Sequence, residues 1–218
     1  MNNLEQYTDS EIIKKILEGD LALFEMLIRR NNSFLYKIGR SYSYSHEDTQ
    51  DLMQDSFVDA YRNLKKFEQR SSFKTWIIKI MLNNCYRKKQ RSSYKNEVAH
   101  EINDKSIPMF SDQQHNDSNR TVANRELNFI IENALQQLPL DYRMVFSLRE
   151  MNGLNVAATA DALQISEANV KVRLNRAKSM LRKEIEKTYT AADIFEFSLV
   201  YCDAMTNAVM KKIKNIAT

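Results

Sequence analysis

The sequence predicts an all-α fold of two small helical domains, an N-terminal helical bundle and a C-terminal helix-turn-helix. A linker joins them, and a C-terminal helix follows. Three observations lead there. Three glycines, two prolines and 28% charged residues in 218 fit a soluble, mostly helical chain. Apolar residues recur at helical spacing in two long blocks. Between the blocks, from Ser92 to Val122, the pattern fades into 31 residues rich in Ser, Asn, Asp and His. The expected domains are therefore 1–91, a linker 92–123, 124–187 and an extension 188–218.

In the first block Ser10 is expected to cap EIIKKILEG, with Gly19 ending that helix. DLALFEMLIRRNNSFLYKIGRSY continues to Gly39 or just beyond. HEDTQDLMQDSFVDAYRNLKKF follows with Met53, Phe57, Tyr61 and Leu64 on one face, then FKTWIIKIMLNNCYRKKQR after a short break. The linker would span roughly 30 Å as a loose coil and on the order of 100 Å fully extended.

In the second block Leu127, Ile130, Ile131, Ala134, Leu135 and Leu138 precede Pro139, and DYRMVFSLREMN stops at Gly153, which suits the position just past a helix. A short helix Ala157–Leu163, with Asn155 as its cap, turns at Gln164–Ile165–Ser166 into a longer one. Ser166 sits at that helix's N-cap, and Val170, Leu174, Ala177 and Leu181 form its apolar stripe. Lys171, Arg173, Arg176, Lys178, Arg182 and Lys183 lie off the stripe. Two helices joined by a tight turn, the second basic and capped, form a helix-turn-helix whose second helix enters the DNA major groove. Beyond it, Ile194, Phe197, Tyr201, Ala204, Met205, Ala208 and Val209 predict an amphipathic helix starting near Ala192 or Asp193.

Charge supports a polyanion partner. The net charge is only +4, but residues 62–91 hold ten bases against the single acid Glu68, and residues 171–187 hold seven against Glu184 and Glu186. Two separate basic segments suit a binder that touches nucleic acid at two places. Residues 1–61 run the other way, with eleven acids against six bases. Within them Asp48, Asp51, Asp55 and Asp59 stripe one helix face, where like charges repel, and so suggest a docking face for a basic partner. No stretch approaches the roughly 20 apolar residues of a membrane span, and the N-terminus lacks a signal-peptide pattern. Cys85 and Cys202 are too few for a disulfide framework, and His46, His100 and His115 show no metal-ligand spacing. A cytoplasmic protein without metal or cofactor is expected. No phosphate-binding glycine loop or nucleophile-and-base pair points to an enzyme.

GLNVAATADALQISEANVKVRLNRAKSMLR closely resembles the promoter-reading domain of bacterial RNA polymerase sigma factors of the extracytoplasmic-function (ECF) group. DLMQDSFVDAYRNLKKFEQRSSFKTWIIKIMLNNCYRKKQR independently resembles their polymerase-binding and promoter-melting domain. The resemblance implies a non-catalytic subunit that binds core polymerase, recognises −35 and −10 promoter elements and promotes DNA opening, with an anti-sigma factor as a further partner. It places Asp51, Gln54, Asp55, Phe57 and Tyr61 against the clamp helices of the polymerase's largest subunit, although Phe57 and Tyr61 also belong to the apolar stripe. The −10 residues would be Arg70, Phe73, Lys74, Trp76, Lys79, Asn83, Asn84, Arg87 and Lys88. Rings would stack on bases while cations follow phosphates, and amides would meet base edges. Core packing is the alternative for Phe73 and Trp76. The loop Glu68–Ser72 could line a pocket for one extruded base.

For the −35 element Lys171, Val172, Asn175 and Arg176 would face the groove, Arg176 towards guanine and Asn175 towards adenine. Arg173, Lys178 and Arg149 would hold phosphates. Ala157 and Ala158 depart from the family's usual acids, Gln164 stands where glycine is common, and Val172 and Asn175 are uncommon choices. These departures bear on the promoter sequence rather than the fold. A helix-turn-helix regulator acting without polymerase explains 124–187 equally well, but leaves the acidic stripe and the Phe-Lys-Thr-Trp segment without a role.

Overall fold

The computed structural model describes residues 7–93 and 128–188. Most of the predicted linker, Leu127 and the helix predicted from Ala192 lie outside them. The regular elements among the described residues are all helical.

Helix α1 (Asp9–Leu17) is capped by Thr8 and not, as expected, by Ser10. Thr8 and Glu11 supply both halves of a reciprocal cap: the Glu11 amide donates to Thr8 Oγ1 at 3.3 Å, and the Thr8 amide donates to Glu11 Oε2 at 2.7 Å. Ser10 falls inside the first turn, and its hydroxyl reaches Gln69 Oε1 at 3.1 Å instead. Gly19, at φ +117°, ends the helix as predicted. A 3₁₀ turn (Leu21–Leu23) leads into α2 (Phe24–Ser41), followed by α3 (His46–Arg62) and α4 (Phe73–Ser93). Ser45 caps α3 by accepting from the Asp48 amide at 3.0 Å, and Ser72 accepts from the Thr75 amide at 3.1 Å at the start of α4. Helix α4 thus runs two residues past the boundary read from the sequence.

The bundle closes over Leu27, Leu35, Ile38, Ala60, Ile77, Ile78 and Met81, all fully buried. Helices α2 and α3 approach so closely that a Cβ on Gly39 would lie 2.5 Å from Thr49 Cγ2. Cys85 is fully buried in α4, and burial pushes its thiol up to about 12.

The described part of α5 is 128–136. It is followed by α6 (Leu140–Phe146), a π-helical turn (Ser147–Met151), α7 (Val156–Leu163) and α8 (Glu167–Thr188). Asn155 caps α7 by accepting from the Ala158 amide at 2.7 Å, and Ser166 accepts from the Asn169 amide at 3.2 Å to start α8. Gln164 takes the left-handed conformation (φ 55°, ψ 45°) that the tight turn requires. Val170 and Ala177, both fully buried, seat α8 on this half, Val170 against Val145 and Ala160, Ala177 against Leu135 and Leu138.

Helices α1 to α7 and α8 as far as Leu181 belong to one compact unit. The two halves of the sequence are packed together in it. Met144, Leu148 and Leu154 share one core with Leu35, Ile38 and Tyr44, and Ala158, Ala162 and Leu163 of α7 pack against that core. Arg40 and Glu132 form an ion pair with side chains only 4% and 0% exposed, the guanidinium Nη2 lying 2.8 Å from Oε1. Ser41 donates to Ser147 Oγ at 2.9 Å, and Gln136 donates to the Arg40 carbonyl at 2.7 Å.

Candidate polymerase and promoter surfaces

The acidic stripe of α3 divides by function. Asp48 pairs with Lys88 of α4, and Asp59 accepts from Asn84 Nδ2 at 3.2 Å, so both ends of the stripe serve packing. Asp51 and Asp55 between them are exposed, with Gln54 beside them, and have no ion-pair partner among the described residues. Tyr61 and Val58 add exposed apolar surface, both 45% exposed, and Tyr61 is held by an edge contact to Phe24 at 5.3 Å. Phe57, expected on this face, is buried in the core. Its position on the helix puts it on the side facing α2 and α4, so it supports the surface from beneath.

On α4 the residues expected at the −10 element separate in the same way. Asn83 and Arg87 are exposed, and with the half-buried Trp76 they line an open groove that also includes Asn63 and Lys66. Phe73 is 2% exposed and packs edge-on against Phe67 at 6.0 Å, which removes it from stacking on a base. Trp76 lies over Phe67 at 4.9 Å and keeps part of its ring outward.

Asn84 is buried, its amide donating to Ser56 Oγ at 3.1 Å as well as to Asp59, so it is not offered to a base edge. Lys74 lies 3.5 Å above the Phe34 ring, and burial followed by the nearby Lys37 lowers its pKa. It belongs to the α2–α4 contact rather than to a phosphate track. Lys79 is paired with Asp161 of α7. Arg70 is exposed and paired with Glu68 at 2.5 Å in the loop before α4. That loop holds Gln69 at φ 55°.

In the helix-turn-helix, the four residues expected to face the groove lie on the outer side of α8. Lys171, Val172, Asn175 and Arg176 are all exposed, Val172 by 46%. They project from the side of α8 opposite Val170 and Ala177. Arg173 and Lys178 flank them, tied to Asp141 at 3.2 Å and Glu150 at 3.0 Å. These exposed pairs are weak and exchangeable for phosphate. Arg149 donates instead to the Leu154 carbonyl, closing the loop after the π turn, so its guanidinium is already engaged.

Sequence reasoning missed the residues between the halves: Arg40, Ser41, Glu132, Gln136, Arg143 and Ser147. The one available signal was Glu132, an acid directly after Ile130 and Ile131 on a helix otherwise read as apolar. Arg143 donates to Ser43 Oγ at 2.5 Å and to the Leu138 carbonyl at 3.0 Å, and burial lowers its pKa to about 10, still far above neutral pH. Among the described residues no helix is long and apolar enough to cross a membrane, and no group of His, Cys, Asp and Glu is arranged to hold a metal.

An acidic helix face, a groove with an aromatic and amides, and a capped basic helix are the surfaces a promoter-recognition subunit needs. Comparison with known families agrees. Residues 27–93 match sigma-70 region 2 and residues 128–181 match sigma-70 region 4, together over half of the chain. The chain is 27% identical to the ECF RNA polymerase sigma-E factor of Haemophilus influenzae, over 84% of this chain and 97% of that one. It is also 27% identical to the ECF RNA polymerase sigma factor SigM of Mycobacterium tuberculosis, over 86% and 89%. Among solved structures it resembles CnrH in complex with the cytosolic domain of CnrY (TM-score 0.61, 22% identity, 83% of this chain and 99% of that one). It also resembles the sigma factor RpoE in complex with the anti-sigma factor NepR from Bartonella quintana (TM-score 0.58, 22% identity, 76% and 96%). The chain belongs to the ECF group of RNA polymerase sigma factors, and such factors are DNA-recognition subunits rather than enzymes. A regulator acting without polymerase would not account for the match in both halves.

Proposed function

We propose that this sigma factor docks on the clamp helices of the largest polymerase subunit through Asp51, Gln54, Asp55 and Tyr61. The −10 element is met by Trp76, Asn83 and Arg87, with Lys79 and Lys88 on the flanking backbone once they exchange Asp161 and Asp48 for phosphate. The −35 element is read by Lys171, Val172, Asn175 and Arg176, with Arg173 and Lys178 on phosphates. The observation that supports this reading is the exposure of Asp51, Asp55 and the four reading-helix residues, while Asp48, Phe57 and Asp59 on α3 and Val170 and Ala177 on α8 are paired or buried. Phosphate contacts then set the register, and base-edge contacts choose the site. A cytoplasmic location and control by an anti-sigma factor belong to the same reading.

Run-off transcription with core polymerase, with and without this protein, tests the whole of it on genomic fragments. The docking role is tested by Asp51→Lys with Asp55→Lys. That double variant should lose co-purification with core polymerase while far-ultraviolet helicity stays near that of the unsubstituted chain. Normal co-purification would refute the role.

A further inference from the structure

The groove beside Trp76 contains a group for which DNA binding has so far supplied no role. Asp59 of α3 lines it together with Trp76, Asn83 and Arg87 of α4, around an open volume of ≈ 480 Å³. The α4 residues suit single-stranded DNA: a ring to stack on, an amide for a base edge and a cation for phosphate. A carboxylate repels phosphate, so what comes to lie against Asp59 is the uncharged edge of a base. The carboxylate is also held in place. Buried Asn84 donates to Asp59 Oδ2 at 3.2 Å and to Ser56 Oγ at 3.1 Å, and Ser56 donates onward to the Leu52 carbonyl at 2.6 Å. Asp59 itself is half-buried, and its Oδ1 makes no hydrogen bond among the described residues. One fixed acceptor is left at the groove wall.

An ionised carboxylate only accepts. Adenine and cytosine carry an exocyclic amine, which donates, where guanine and thymine carry a keto oxygen, which accepts. The amide of Asn83 both donates and accepts and so can serve either kind of base. Discrimination between the two kinds falls to Asp59. We infer that Asp59, positioned by Asn84, makes this groove select an unpaired amino base, adenine or cytosine, over a keto base at one position of the melted −10 strand. The inference rests on the sigma-factor reading above and adds a specificity-determining residue to it.

Deaminated bases test it, because uracil for cytosine and hypoxanthine for adenine exchange the amine for a keto oxygen at unchanged ring size. Holoenzyme reconstituted from core polymerase and this chain is titrated with bubble templates. Their −10 strand carries each amino base, or its deaminated form, at one position after another. At one position deamination should weaken binding ~10-fold or more, the worth of a good base contact, and the pair with the larger loss names the base. Asp59→Asn, whose amide can donate as well as accept, should cut that factor to ~3-fold or less and leave the other positions as they were. Asn84→Ala should cut it too. A merely structural role for Asn84 would lower binding to all templates alike and leave the factor standing.

Equal binding of amino and keto forms at every −10 position would overturn the inference, and that result needs no variant to fold. So would a preference that survives intact in Asp59→Asn. Loss of core co-purification in Asp59→Asn would give the carboxylate to docking and overturn it as well. An unsubstituted chain that neither joins core polymerase nor confers binding to any bubble would instead sink the sigma-factor reading, and this inference with it.

Discussion

At the scale of single residues, side chains of the same type on the same helix do different work. Phe73 and Trp76 are three positions apart, yet Phe73 is buried between Phe67 and the bundle while Trp76 keeps an open edge. Phe73→Ala should therefore lower thermal stability by about 3–5 kcal/mol, with no rescue of promoter opening on pre-melted bubble templates. Trp76→Ala should leave core association intact and lower permanganate reactivity of unpaired thymines, an effect that bubble templates relieve, since one base stack is worth about 1–3 kcal/mol. On α8, Arg176→Ala should cost roughly 1–3 kcal/mol at one base position and relax specificity there. Lys178→Ala should weaken all promoters alike and flatten the salt dependence by about one unit of slope. Binding titrations on promoter variants at several salt concentrations separate the two. Helical spacing placed Phe57, Phe73 and Asn84 on their helices correctly but could not say which face the neighbouring helices would cover. That is a property of packing, not of period.

At the scale of elements, caps and close approaches carry the local information. The Thr8–Glu11 cap holds the Glu11 carboxyl below its ordinary value, chiefly through the Thr8 amide. A carboxyl lowered on folding stabilises above its unfolded pKa, and that contribution is lost as pH falls through the lowered value. Thr8→Ala should cost about 1 kcal/mol while keeping the amide bond to Glu11, whereas Glu11→Gln, which removes the titrating carboxyl, should flatten the acid side of the stability curve, measured by urea titration between neutral pH and pH 3.

Gly39 is set by proximity instead. Gly39→Ala gains up to about 1 kcal/mol of helix propensity, but its methyl would drive into the buried, stiff Thr49. A net loss of about 1–3 kcal/mol is expected, reduced when combined with Thr49→Ser, in a double-mutant cycle of chemical denaturation. Helix ends were largely legible because Gly19, Ser166, Asn155 and Gln164 act within one turn of chain. The Thr8 cap was also present in the sequence, as Thr-x-x-Glu, but Ser10 lay nearer the apolar run.

At the scale of the whole molecule, the order and helical nature of the two halves could be read directly, because each repeats its apolar residues over several turns. Their mutual packing could not. It depends on Arg40 and Glu132, which are 92 positions apart and each of a type usually left in water. Breaking such a pair from one side typically costs about 3–5 kcal/mol, so Arg40→Ala should destabilise the unit in calorimetry more than Arg29→Ala, which removes only an exposed i, i+4 pair.

The buried thiol of Cys85 also fixes what kinds of signal the folded bundle can feel. With its pKa pushed up to about 12, only on the order of 10⁻⁵ of it is thiolate at neutral pH, and the Tyr44 hydroxyl, donating to its carbonyl at 2.7 Å, closes the backbone beside it. Peroxide and electrophiles therefore find no handle at this cysteine while the bundle is intact. In a Cys202→Ser chain, the rate of iodoacetamide capture at Cys85 becomes a count of how often the bundle comes apart.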